Sequence, residues 1–352
     1  MVLNVLGVCG GNGVILYPFR KYLIANVEPR SLFKTPGNEQ WEANFDDIPL
    51  VNEPTFEKCW AEMLGNFLLP SIEVIIGAPD CGDSSILSYS RNKKLGNPKD
   101  NLSLLLYFEF VERLQPKVWL MENLPKLLET ITQKDFEEKF PNYTLIFNMA
   151  SVSAWGNSQL SRVRLVIIGI RKDVFTTELG RAMARPYKVR TLKTSGQLIS
   201  NLGNSTGQIT EDINGEITLY AGFKDKISNI MGVWNTTLKN KKRWIVTDRK
   251  FTTAPGVYKN LENEPPATAR KANRQFNHKG QMMSPRELAR IQGIPDSFIL
   301  VDDKSRLNFW INKGRVTCTK TPPMEISRWF KLQLWKHLKH PQTGSLKGQN
   351  TQ

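Results

Sequence analysis

The runs IEVIIGAP, ending at Pro79, and LVIIGI, ending at Ile170, are apolar at almost every position, so neither can lie half exposed. Runs of that kind suit strands buried on both faces, as in a parallel sheet covered by helices. Through residue 175 such runs (VLNVLGV, IANVE, KVWLMEN) alternate with amphipathic stretches such as GVILYPFRKYL and LLLYFEFVERL. Strand and helix alternation of this order predicts an α/β domain with a mostly parallel sheet over residues 1–175.

From 176 onward the texture changes. Gly, Asn, Ser and Thr rise, as in TSGQLISNLGNSTGQIT, and helical periodicity fades. With 352 residues there is room for a second, smaller unit, expected as an irregular, β-rich domain over 176–300. Between Arg181 and Met283 lie 18 Lys and Arg against 7 Asp and Glu, so 11 of the chain's 15 net positive charges fall there. Localised charge of this sign favours a polyanionic partner, while a solvated basic face is the plainer alternative. A final amphipathic stretch, EISRWFKLQLWKHLK, predicts a helix within 301–340, and 341–352 reads as a disordered tail.

Four separated cysteines and three late histidines give neither a disulfide framework nor a metal-ligand cluster, so no metal is expected. No apolar run reaches membrane-spanning length, and the N-terminus lacks the basic start of a secretory signal. A cytoplasmic, reduced monomer that does not contact membranes is the expectation.

Individual residues then carry chemistry. The first strand runs into Gly7, Gly10, Gly11 and Gly13, a helix is expected next, and Glu28 ends the second strand. Glycines let backbone approach a ligand, and an acid at that strand end accepts both ribose hydroxyls of a nucleotide. An ordinary Gly-rich turn fits the same residues. Asp47, expected where a third strand ends, is placed to accept from an adenine amine, or else is a loop aspartate or a helix N-cap. Cys81, in GAPDCGDSS after a buried strand, is either an exposed nucleophile or a packed thiol. Glu122 and Asn123 follow another buried strand and so belong at the same sheet edge, where burial raises a carboxyl pKa. Arg162 and Arg164 project to one side at period two before LVIIGI, or serve as surface ion-pair partners.

In this order the segments resemble those of the cytosine-5 DNA methyltransferase family. GVCGGNG is similar to its FxGxGG cofactor loop, GAPDCGDSS to its GxPCQxxS nucleophile loop and MENL to its ENV segment. QLSRVRLVIIGIR is similar to its QxRxR motif, with Gln159 one residue early, and SPRELARIQGIPDSF to its RExxRLQgFPdxF segment. The resemblance implies a Rossmann-like methyltransferase domain using S-adenosylmethionine and releasing S-adenosylhomocysteine, with a target-recognition domain and double-stranded DNA as partner. It implies cofactor contacts at Gly7, Cys9, Gly10, Gly11, Glu28, Pro29, Asp47, Ile48 and Pro79. Catalysis would fall to Cys81, Glu122, Arg162 and Arg164. DNA contacts would come from Ser85 and from Arg91, Lys93 and Lys94 in a closing loop over 86–101, and from Lys241, Lys242 and Arg243 in the basic stretch.

The chain departs from the family pattern at Asp80, which replaces a proline, at Gly82, which replaces a glutamine, and at Leu6, Gly7 and Val8. TKTPP, through Pro323, only loosely matches the closing GNAVPP. A carboxylate beside a thiol disfavours the thiolate. Such divergence suits a phage or mobile element. Two alternatives keep the fold: a DNA-binding protein without activity, and a methyltransferase acting on RNA.

Overall fold

The computed structural model describes residues 3–29, 36–66, 71–80, 101–160, 162–186, 192–199, 285–300 and 321–338. It also describes short pieces at 209–211, 217–219, 258–259, 263, 265–266 and 275–276. The expected residues Cys81, Ser85, Arg91, Lys93, Lys94, Lys241, Lys242 and Arg243 lie outside them, as do the 341–352 tail and nearly all of the closing loop.

In chain order the elements are β1 (Val5–Val8), β2 (Leu23–Pro29), α1 (Pro36–Phe45), β3 (Leu50–Glu53), α2 (Phe56–Asn66), β4 (Val74–Gly77) and α3 (Leu102–Leu114). There follow β5 (Val118–Asn123), α4 (Gln133–Lys139), β6 (Tyr143–Ser151), β7 (Val163–Arg171), α5 (Thr177–Met183), α6 (Ser195–Ile199), α7 (Pro285–Ile291) and α8 (Met324–Leu338). The strands form one seven-stranded sheet in the order β3-β2-β1-β4-β5-β7-β6. β1 to β5 pair in parallel, and β7 runs antiparallel between β5 and β6.

The uniform apolarity of the strands has a direct cause. Alternate residues feed two separate cores: Val74, Ile76, Val118, Leu120, Val166 and Ile168 one, and Ile75, Trp119, Met121, Leu165 and Ile167 the other. Both faces are covered, so neither set of side chains meets water. Chain order reverses between β1 and β4, and it is beyond the carboxyl ends of the strands at such a switch point that open α/β sheets bind ligands.

α8 packs on the first of these layers through Trp329, Phe330 and Leu334. Phe330 lies 6.2 Å from the ring of Phe19, in the 3₁₀ helix Tyr17–Tyr22, and Trp329 lies 6.4 Å from that of Trp155. The C-terminal helix thus closes against the start of the chain.

Two parts of the stretch expected as a separate domain belong to this core instead. Leu179 and Met183 of α5, and Leu288, Ala289, Ile291 and Ile294 of α7 and its following turn, are buried in it. Their apolar spacing spans too few residues to stand out from polar surroundings. Between them the described β pieces are short pairs, Ile209–Glu211 with Ile217–Leu219 and Tyr258–Lys259 with Gln275–Phe276. Among the described residues no helix is long and apolar enough to cross a membrane.

Candidate active site

β1 ends in Cys9, Gly10 and Gly11, two of which, Cys9 (φ 57°) and Gly11 (φ 62°), take left-handed backbone angles. This turn brings two backbone N–H groups onto β2: Gly10 donates to Asn26 Oδ1 at 3.2 Å and Gly11 to Glu28 Oε1 at 2.6 Å. Asn26 Nδ2 donates to the same Glu28 oxygen at 3.0 Å. At Gly7 and Gly10 the glycine is forced by contact, because a Cβ would lie 2.4 or 2.3 Å from Leu16 Cδ1. Glu28 is buried, and burial pushes its carboxyl up to about 8 although both donors oppose the shift. The Cys9 thiol donates to Ser103 O at 3.3 Å, and burial, with Glu28 nearby, holds it well above its ordinary range. Pro29 closes β2 and is buried.

Two expectations need correction here. No α-helix follows the glycine loop: turns lead into the 3₁₀ helix Tyr17–Tyr22, which has Pro18 in its first turn. Gly13 at φ 86° breaks the helical path between them. Asp47 does not end the third strand; it sits in the turn leading into β3, and its carboxylate lies 2.6 Å from Arg20 Nη2. Ile48 is buried in the core and its N–H donates to Phe45 O. Level with Glu28 and Pro29 on β3 stand Asn52 and Glu53. The apolar pair in PLVNE is so short that the strand's start was not visible.

The second half of the edge is built from β4, β5 and β7. Beyond β4, Ala78 N donates to Cys9 O at 3.1 Å. Asn123 Nδ2 donates to Pro79 O at 3.2 Å, Ser103 Oγ accepts from Asp80 N at 2.8 Å, and Asn101 Nδ2 donates to Asp80 O at 3.1 Å. Asn101 also caps α3 by accepting from Ser103 N and Leu104 N. The two residues before Cys81 are therefore held by side chains from two elements. Glu122, buried at the end of β5, has Arg164 Nε 2.8 Å from its Oε1. Burial raises the Glu122 carboxyl, and Arg164 and then Arg162 work against that rise.

The two arginines part company. Arg164 serves Glu122, while Arg162 is almost fully buried and donates from Nη2 to Thr321 O at 2.8 Å. Thr321 Oγ1 in turn lies 3.2 Å from Asn12 Oδ1 in the glycine loop. Gln159 is also buried, donating to Ile291 O at 3.1 Å and Gln292 Oε1 at 3.0 Å, and Asn157 donates to Glu325 Oε2 at 3.1 Å. This cluster ties α7 and α8 to the sheet. Arg162 is thus anchored to a carbonyl 159 residues away while its charge still acts on Glu122; a buried guanidinium is invisible in sequence because that acceptor is so distant.

Sequence reasoning passed over Asn26, Asn101 and Ser103. The one signal for Asn26 was a polar residue two places before Glu28, on the same face of an otherwise apolar strand. Among the described residues no group of His, Cys, Asp and Glu could hold a metal ion.

The model of the C-5 cytosine-specific DNA methylase family matches residues 37–313. No curated protein matches the chain. Among solved structures, an E. coli protein described as a prophage-encoded DNA modification methyltransferase is similar with TM-score 0.66 and 17% identity, covering 96% of this chain and 99% of its own. The Dnmt2 methyltransferase of S. pombe is similar with TM-score 0.59 and 12% identity over 96% and 99% of the two chains. The methyltransferase EhMeth of Entamoeba histolytica gives TM-score 0.59 and 14% identity over the same shares. At these identities the likeness is one of fold.

Proposed function

The chain belongs to the C-5 cytosine-specific DNA methylase family, and from that premise we propose that it methylates C5 of a flipped-out cytosine in duplex DNA through a Cys81 adduct. The observation that carries this reading is the pair of buried Glu122 with half-buried Arg164, on the sheet edge that also carries Pro79 and Asp80, the residues leading to Cys81. C5 of cytosine is a weak nucleophile, so a thiolate must first add at C6. Cys81 forms that S–C6 bond and the ring electrons move toward C5. Glu122, whose carboxyl burial raises, hydrogen-bonds N3 as charge develops there, and Arg164 orients the carboxyl and assists at O2. After alkylation a base takes the C5 proton and the Cys81 sulfur leaves.

The cofactor edge fits S-adenosylmethionine, which when bound supplies an electrophilic methyl group. Glu28 would accept from its ribose hydroxyls, and Gly7, Gly10 and Gly11 allow the backbone its close approach. The target base is stacked inside a duplex, so it must be flipped out, with the segment holding Arg91, Lys93 and Lys94 closing over it. A basic recognition unit within 176–300 would read the groove.

Incubation with labelled S-adenosylmethionine and either duplex DNA or tRNA tests the reading. Label on cytosine C5 of DNA is the expected result. Label on tRNA alone would select the RNA alternative, and DNA binding without any transfer would select the inactive one.

A further inference from the structure

Asn26 is fully buried in the middle of β2, flanked by core residues Ala25 and Val27. Its Oδ1 accepts from Gly10 N and its Nδ2 donates to Glu28 Oε1, so one amide spans the loop after β1 and the acid at the end of β2. The glycines leave room for it: a Cβ on Gly7 would lie 2.7 Å from its Oδ1, and one on Gly10 3.0 Å. Only an amide of this length both accepts from one side and donates to the other; aspartate accepts only, and leucine does neither.

We infer that Asn26 is the positioning residue of the cofactor site, aiming the Glu28 carboxylate at the ribose hydroxyls and locking the glycine loop in the same act. This rests on Glu28 being the ribose acceptor. A buried carboxylate is driven toward its neutral form, and a donor to the charged form resists that drive. Two donors do so here, Asn26 and Gly11. Among the described residues, Cys9 beyond β1 and Cys59 from α2 couple to Glu28; both are raised by burial, Cys59 to about 11. Loss of the Asn26 donor leaves Gly11 alone against burial, and the carboxyl keeps its proton to higher pH.

The test is calorimetric titration of the full chain with S-adenosylhomocysteine across roughly pH 6.5 to 9.5, a range centred on the raised carboxyl. Wild-type affinity should rise as pH passes about 8. Asn26→Leu and Asn26→Asp should each bind about tenfold more weakly at neutral pH, with the rise displaced upward by about one pH unit. Asn26→Asp keeps an acceptor for Gly10, so it serves if Asn26→Leu does not fold. Wild-type behaviour, or a loss equal at every pH, overturns the inference. If instead the wild type binds no cofactor, or Glu28→Ala binds as well as wild type, the ribose assignment itself falls.

Discussion

Arg164 reaches Glu122 from a strand running the opposite way. β5 delivers Glu122 at its carboxyl end, opposite Val166, while β7 enters the sheet at that same edge, so Arg164, at its start, stands 2.8 Å from the carboxylate. A parallel strand would have placed its first residues at the far edge. The inversion of β7 is therefore what makes a buried acid and its arginine meet beside the loop to Cys81.

Where the step needs the Glu122 proton, its loss sets an alkaline limb in the pH–rate profile. Arg164 lowers the Glu122 pKa, so Arg164→Leu should move the alkaline limb to higher pH while cutting the rate. Glu122→Gln should cost roughly 10²- to 10⁴-fold, the range for a general acid. An alkaline limb that stays in place in Arg164→Leu would remove Glu122 from that role.

Glu28 should tax stability in the absence of cofactor. Its folded pKa of about 8 lies above the ordinary 4.5, so the folded chain holds a proton the unfolded chain has lost. Stability is then greatest below pH 4.5 and falls as pH rises toward 8, by up to about 1.4 kcal/mol per unit. Glu28→Gln keeps an oxygen for Gly11 and Asn26 but has no proton to lose. Its melting temperature relative to wild type should therefore climb between those two pH values; a constant difference across the series would contradict a raised carboxyl.

What the sequence disclosed and what it withheld divide along physical lines. Strand positions were legible because two-sided burial writes itself as an unbroken apolar run, and Glu28 and Glu122 because each interrupts such a run at its end. An apolar run reads the same in both directions, so the antiparallel sense of β7 was not legible. Nor was the inward turn of Arg162, whose partner is Thr321, or the bridge made by Asn26, because both depend on residues distant in the chain. Asp47 misled because an acid near a strand carries no mark of which end it occupies; its pairing with Arg20 is a tertiary fact.

Cys81→Ser should abolish methyl transfer while DNA and cofactor still bind, because a serine hydroxyl does not supply the soft nucleophile that adds at C6. Duplex DNA carrying 5-fluorocytosine at the target should trap a covalent complex with wild type and none with the variant. Asp80→Asn removes the neighbouring negative charge and should move the acid limb of the pH–rate profile to lower pH. An active preparation that traps no complex would take Cys81 out of the mechanism.

On the proposed function, DNA affinity comes from the basic stretch that holds Lys241, Lys242 and Arg243, followed by Trp244. Phosphate contacts give affinity without sequence information, because every duplex presents the same backbone charge, whereas contacts to base edges discriminate. Neutralised phosphates release counterions, so each lost contact lowers the slope of log affinity against log salt by roughly one. Lys241→Ala with Lys242→Ala should then weaken binding to all duplexes about equally and flatten that slope by up to about two. Affinity measured across a salt series on two unrelated duplexes decides it. An unchanged slope would assign the lysines to solubility, and a loss confined to one duplex would make them readers of sequence.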